Sequence, residues 1–255
     1  VILHGSELGQ GPNVVLLHGL FGRSQNLGSV SRRLAAGFRV ISLDLRNHGE
    51  SPRADGMTYR AMADDVLETL AARHALPAAF LGHSMGGKVA MAAALTRAEA
   101  VTRLVVGDIA PVAYHHRNAA ITEAMHGLAL APGLTRAQAD AALAGTVPDP
   151  AVRRFLLQNL VLGSAPYWRI GLAEIASGLR EIEDFPPSSA FVPYGAPSLF
   201  LRGERSAYVG EEALAPIRDL FPDARVETID DAGHWLHADQ PEIFAARVQA
   251  FLRES

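Results

Sequence analysis

Residues 78–95 read AAFLGHSMGGKVAMAAAL. A short apolar run, a glycine-bracketed serine and an alanine-rich tail spell strand, sharp turn and helix. Gly82, Ser84 and Gly86 form the pattern G-x-S-x-G. A turn that projects a serine from its apex strains the backbone and brings helix against strand, which leaves no room for Cβ atoms at the flanking positions. Ser84 is therefore a candidate nucleophile. The pentapeptide alone is weak; its weight comes from the strand before it and the helix after it.

Outward from this stretch, strand-like and helix-like segments alternate in the manner of one large α/β domain. Residues 13–17 (NVVLL) and 198–202 (SLFLR) are apolar runs typical of strands buried on both faces. Residues 1–4, 39–43, 104–107 and 225–229 complete the predicted strands, the first suggesting an antiparallel start and the last alternating like a half-exposed edge. Helices are expected over 26–36, after a Thr58 cap with Met62, Val66 and Leu70 on one face, over 211–221, and at the end with Phe244, Val248, Phe251 and Leu252 aligned.

From residue 112 to 193 the alternation gives way to a run of helices. Thr135-Arg136-Ala137-Gln138 matches a capping box, Asp149-Pro150 sets a cap before a first-turn proline, and 170–179 is again helical. Because sheet-like sequence resumes afterwards, residues 1–111 and 194–255 read as one core and 112–193 as a helical cap over the sheet's carboxyl end.

The composition closes off several classes. Cysteine is absent, which excludes disulfides, thiolate metal sites and a cysteine nucleophile. A chain of 255 residues buries roughly three quarters of its unfolded surface, so its core can be sizeable. A net charge of -4 without a Lys/Arg block speaks against nucleic acid as a partner. No apolar run approaches the roughly 20 residues of a membrane span, and no signal-type segment opens the chain. The expectation is a cytoplasmic protein acting on a small molecule; the sequence carries no signal for oligomeric state.

A serine hydroxyl needs a base, and the base needs an orienting acid. Of the ten histidines, His234, beside Gly233 and before the final helix, lies where a loop after the last strand reaches back over the sheet. His237 suits packing in that helix, His18 and His48 belong to turns, and His83 points away from the side on which Ser84 emerges. His115 and His116 lack the partner cluster a metal would require.

Taken together, His18-Gly19, Asp44-x-Arg46-x-His48-Gly49-x-Ser51, Gly82-His83-Ser84-Met85-Gly86-Gly87 and Gly233-His234-Trp235 resemble the α/β-hydrolase family. The wording around Leu20-Phe21-Gly22, Arg46-Asn47-His48-Gly49 and Asp108-Ile109-Ala110-Pro111 is similar to its branch of bacterial carboxylesterases and acyl-CoA thioesterases, with their abhydrolase-domain relatives. The resemblance implies a mostly parallel central sheet flanked by helices, a helical cap inserted after the sixth strand, and Ser84 and His234 as nucleophile and base. The acid usually follows the strand at 198–202, where related sequences often carry Asp at the position of Ala207, leaving Glu204 as the local carboxylate. In the esterase branch it can follow the preceding strand instead, where Asp108 stands. Asp108 is favoured, since it ends an apolar strand with no structural reason for a carboxylate, and Ser206 would hydrogen-bond it.

The oxyanion donors are then the backbone N–H of Met85 and that of Leu20 or Phe21. The expected chemistry is hydrolysis of short to medium acyl esters, with acyl thioesters as a further class, through an acyl-enzyme and without metal or cofactor. Lactone, carbon–carbon and perhydrolysis chemistry use the same triad, and a non-catalytic binding protein on this fold is the rival from another class. In the cap, Phe155, Leu156, Tyr167 and Trp168 are candidates to line an acyl pocket.

Overall fold

In the computed structural model, which describes residues 1–114 and 118–254, successive side chains along the strands go to opposite cores. On the strand Asn13–Leu17, Val15 and Leu17 join one buried cluster while Val14 and Leu16 join the other. Phe80 and Leu81 of Ala78–His83 divide in the same way. With a period of two and both faces buried, such strands read as continuous apolar runs and demand helices on either side.

In chain order the strands are β1 (Gly5–Leu8), β2 (Asn13–Leu17), β3 (Arg39–Leu43), β4 (Ala78–His83), β5 (Val101–Gly107), β6 (Leu160–Val161), β7 (Tyr167–Trp168), β8 (Ser198–Gly203) and β9 (Ala224–Ile229). The helices are α1 (Gly28–Leu34), α2 (Tyr59–Ala72), α3 (Met85–Thr96), α4 (Asn118–His126), α5 (Arg136–Leu143), α6 (Pro150–Leu157), α7 (Leu172–Ser177), α8 (Leu179–Glu183), α9 (Leu214–Leu220), α10 (Leu236–Asp239) and α11 (Pro241–Arg253). The main sheet runs β1-β3-β2-β4-β5-β8-β9, parallel except for β1, which pairs antiparallel with β3. Helices α1 and α11 fill one face with Val30, Leu34, Phe244 and Val248. On the other, α2, α3 and α9 bury Met62, Val66, Val89 and Ile217. Each such side chain contributes about 1.5–3 kcal/mol by leaving water.

Local signals set the helix starts. Ala61 N–H donates to Thr58 Oγ1 (3.2 Å), and Ala151 N–H donates to Asp149 Oδ1 (2.7 Å). Thr135 and Gln138 close a reciprocal box, with Gln138 N–H donating to Thr135 Oγ1 (3.3 Å) and Thr135 N–H to Gln138 Oε1 (2.9 Å).

The structure corrects three expectations. The first strand lies at Gly5–Leu8 rather than at 1–4. Leu3 is buried and its N–H donates to Thr69 Oγ1 (2.9 Å), so Leu3 packs on α2 before pairing with β3 begins. The segment between the sheet's two halves follows the fifth strand, β5, not the sixth, because β1 alone precedes β2 among the described residues. That segment also holds a two-stranded hairpin, β6 against β7, beside its helices, and Gly178 divides the helix expected over 170–179 into α7 and α8.

Residues 118–183 bond to the loops at the carboxyl ends of the first sheet strands. Asn159 Nδ2 donates to Phe21 O (2.7 Å), after β2, and Gly171 N–H donates to Asn47 O (2.8 Å), after β3. Among the described residues no helix is long and apolar enough to cross a membrane.

Candidate active site

Ser84 stands between β4 and α3 with φ at 53°, a conformation that costs a non-glycine residue roughly 1–3 kcal/mol. Its N–H donates to Gly107 O (2.9 Å) on the neighbouring strand β5, which holds the turn from below. The flanking glycines answer to contact: a Cβ on Gly82 would lie 2.1 Å from Gly86 O, and one on Gly86 would lie 2.3 Å from Leu17 O. Backbone crosses backbone here, so alanine at either position would push α3 off the sheet.

Three segments far apart in sequence meet above this turn. His234, in the loop after β9, has Nε2 3.0 Å from Ser84 Oγ and donates from Nδ1 to Asp108 Oδ2 (2.8 Å). Asp108 caps β5 with φ at 51° and is wholly buried. Its other partners are Gly203 N–H, donating to Oδ1 (3.0 Å), and the Ser206 hydroxyl, donating to Oδ2. The carboxylate thus accepts bonds from the imidazole, a backbone amide and a hydroxyl. Glu204 is exposed and turned away; its Oε2 accepts from Asp231 N–H (2.9 Å). Tyr208 stacks on the His234 ring, centroids 3.8 Å apart at 14°, and His83 Nε2–H donates to His234 O (2.7 Å) from beneath.

Of the two candidate amides after β2, one is already engaged. Phe21, at φ 60°, donates its N–H to His48 Nε2 (3.1 Å), while Leu20 N–H has no acceptor among the described residues. Met85 opens the helix α3, so its N–H has no intrahelical acceptor. His48 can accept because burial, with His18 adding to it, pushes its pKa down to about 3, and its Nδ1–H is held by Arg46 O (2.9 Å). His18 is likewise lowered by burial; its Nε2 accepts from Leu45 N–H (3.0 Å) and its Nδ1–H donates to Gly19 O (2.8 Å).

A cavity of about 890 Å³ opens on Ser84 and His234. Leu20, Ile109, Phe155, Leu156 and Trp235 give it apolar walls, and Lys88 and Tyr114 stand among them. Phe155 and Leu156 are thus at the cavity, whereas Tyr167 and Trp168 are not. The hairpin β6–β7 carries Tyr167 to the surface, and Trp168 turns inward to donate its Nε1–H to Met125 O (2.9 Å). His115 and His116 lie outside the described residues.

Sequence reasoning overlooked Lys88, Tyr208 and Asn159. Lys88 sits four residues after the serine, and helical spacing alone puts it on the serine's side. Asn159 and Tyr208 reach their partners only through tertiary packing and left no local signal.

With this geometry in hand, likeness to known proteins is informative. The family model for the alpha/beta hydrolase fold matches residues 12–241. The sn-1-specific diacylglycerol lipase ABHD11 of Mus musculus is 40% identical over 94% of this chain and 81% of its own length. The Esterase YbfF of Escherichia coli (strain K12) is 37% identical over 94% of this chain and 93% of its own. Among solved structures, a marine microorganism esterase superposes with a TM-score of 0.93 at 34% identity, covering 98% of this chain and 99% of that one. The chain belongs to the α/β-hydrolase family.

Proposed function

We propose that this α/β hydrolase is a carboxylesterase that cleaves esters of short to medium acyl chains through a Ser84-His234-Asp108 triad, with acyl thioesters as a second substrate class. The observation that carries the reading is the unbroken line from Ser84 Oγ to His234 Nε2 (3.0 Å) and from His234 Nδ1 to Asp108 Oδ2 (2.8 Å), opening on an apolar-walled cavity. The activities for which these relatives are named, lipase and esterase, support an ester as substrate.

In the proposed reaction Ser84 Oγ attacks the ester carbonyl as His234 Nε2 takes its proton. Asp108 holds the imidazole by Nδ1 and stabilises the imidazolium that forms. The tetrahedral oxyanion is received by the N–H groups of Met85 and Leu20, the Phe21 amide being committed to His48. His234 then protonates the leaving alcohol or thiol, activates water against the acyl-enzyme, and returns the proton to Ser84 as the acid departs. Residues 112–193 act as a cap whose Phe155 and Leu156 face the acyl group.

The test is hydrolysis of a 4-nitrophenyl acyl series from acetyl to dodecanoyl, with labelling by a fluorophosphonate. Wild type should cleave the shorter members and label, and Ser84→Ala should do neither. A wild-type protein that neither hydrolyses nor labels would refute the reading in favour of a binding protein.

A further inference from the structure

Lys88 lies one turn of α3 beyond Ser84, on the same side of the helix. The proposed reaction has no use for it, yet it is only 1% exposed and borders the same cavity as the serine. Its Nζ donates to Asp184 O (2.9 Å) and lies 4.9 Å from the Tyr114 ring centroid, 5.3 Å from that of Tyr59 and 5.9 Å from that of Phe185.

This setting leaves the cation incompletely answered. An ammonium has three donors. One goes to the Asp184 carbonyl, and the others find no acceptor among the described residues. The nearby carboxylates attract it from a distance but are turned to other partners: Glu183 Oε1 accepts from Asn118 Nδ2 (3.2 Å), and Asp184 Oδ1 from Phe185 N–H (2.8 Å). Burial drives the amine down to about 7 against that attraction. A buried charge without a close counterion is costly, and a structural tether to one carbonyl does not require a charged group. Aromatic walls keep water out and make any anion that enters bind more strongly.

We propose that Lys88 forms an anion subsite within the acyl-transfer cavity, and that the substrates this protein prefers are esters carrying a carboxylate. The inference rests on the proposed esterase reading. The carboxylate can belong to the acyl part, as in a half-ester of a short dicarboxylic acid, or to the alcohol part, as in an ester of a hydroxy acid.

The experiment compares ethyl butyrate, monoethyl succinate and the butyrate ester of glycolic acid, following released acid by titration. In wild type, one charged ester should exceed the neutral one in kcat/KM by roughly ten- to hundredfold, mainly through KM, as befits a charge-assisted hydrogen bond. Which charged ester wins tells on which side of the scissile bond the carboxylate sits. Lys88→Met should bring the charged-to-neutral ratio to one or below, and Lys88→Arg should keep it above one. A wild type that prefers ethyl butyrate to both charged esters overturns the subsite, without depending on any variant's folding. So does a Lys88→Met enzyme that loses the same factor on all three. If wild type hydrolyses none of them, nor any 4-nitrophenyl ester, the esterase reading itself falls.

Discussion

The layer of histidines beneath the serine and the one histidine above it use the same side chain for opposite ends. His18, His48, His83 and His237 are buried, and burial holds all of them below the ordinary imidazole value. In that layer imidazole is a neutral bracket: His18 and His48 accept from backbone amides, and His83 donates to the carbonyl of His234. His234 is 23% exposed and has a carboxylate on one nitrogen and a hydroxyl near the other. The partner, not the residue type, separates scaffold from chemistry. An accepting bracket such as His18 or His48 loses its bond when it gains a proton, whereas the carboxylate beside His234 would stabilise one gained there.

The sharpest way to break this contrast is to remove the charge that distinguishes His234. Asp108→Asn keeps the size of the side chain but presents an amide where the imidazolium needs a carboxylate, and turnover of a 4-nitrophenyl ester should fall by about 10⁴-fold. Glu204→Gln, on the exposed turn, should stay within about twofold, as surface changes do. If Asp108→Asn remained near wild type while Glu204→Gln failed, the loop after β8 would hold the acid and the contrast would collapse.

What the sequence made legible follows the same division. The turn at Ser84 is legible because it needs glycines, and the proposed acid Asp108 is marked by its place as a carboxylate at the end of an otherwise apolar strand. His234 stood out by chain order. Which of the Leu20 and Phe21 amides is already bonded is not legible in the sequence, since it depends on His48, a side chain 27 residues from Phe21 that captures its N–H. Tyr167 and Trp168 looked like pocket residues by type, but a short hairpin, invisible in a helical pattern, carries one outward and ties the other to Met125 O. The first strand lies later than expected because, of the opening residues VILH, only Leu3 is buried, with its N–H on Thr69 of α2, while the more polar GSEL pairs its backbone with β3.

The histidine layer also sets a pH dependence of stability. Folding brings His48 to about 3 and His237 to about 4, mainly by burial, whereas the unfolded imidazole titrates near about 6.5. Between those values the unfolded chain binds protons that the folded chain refuses. Stability is therefore full above about pH 6.5 and declines as pH falls, by up to about 1.4 kcal/mol per pH unit for each such group. Denaturant midpoints measured from pH 7.5 to 4.5 should show this slope. His237 offers the cleaner probe, because its Nδ1 is buried without a hydrogen-bond partner among the described residues. His237→Leu should flatten the slope and gain on wild type at pH 5; an unchanged slope would mean that the layer is not what titrates.

The smallest of these effects tests how the line above the serine is held. Asp108 Oδ2 receives both His234 Nδ1–H and the Ser206 hydroxyl, so Ser206 helps fix the lone pair on which the imidazole depends. The hydroxyl comes from the loop after β8, where the alternative acid Glu204 also sits, and it binds that loop to the carboxylate after β5. Ser206→Ala would leave Gly203 N–H and His234 as the donors to Asp108. Losing one hydrogen bond to a charged acceptor is worth roughly tenfold, and kcat should fall by about that factor with KM little changed. Asp108→Asn/Ser206→Ala should then lose little beyond Asp108→Asn alone, because the hydroxyl acts through the carboxylate. If instead the two losses multiplied, Ser206 would be shaping the cavity independently, and the loop after β8 would have a role of its own in the site.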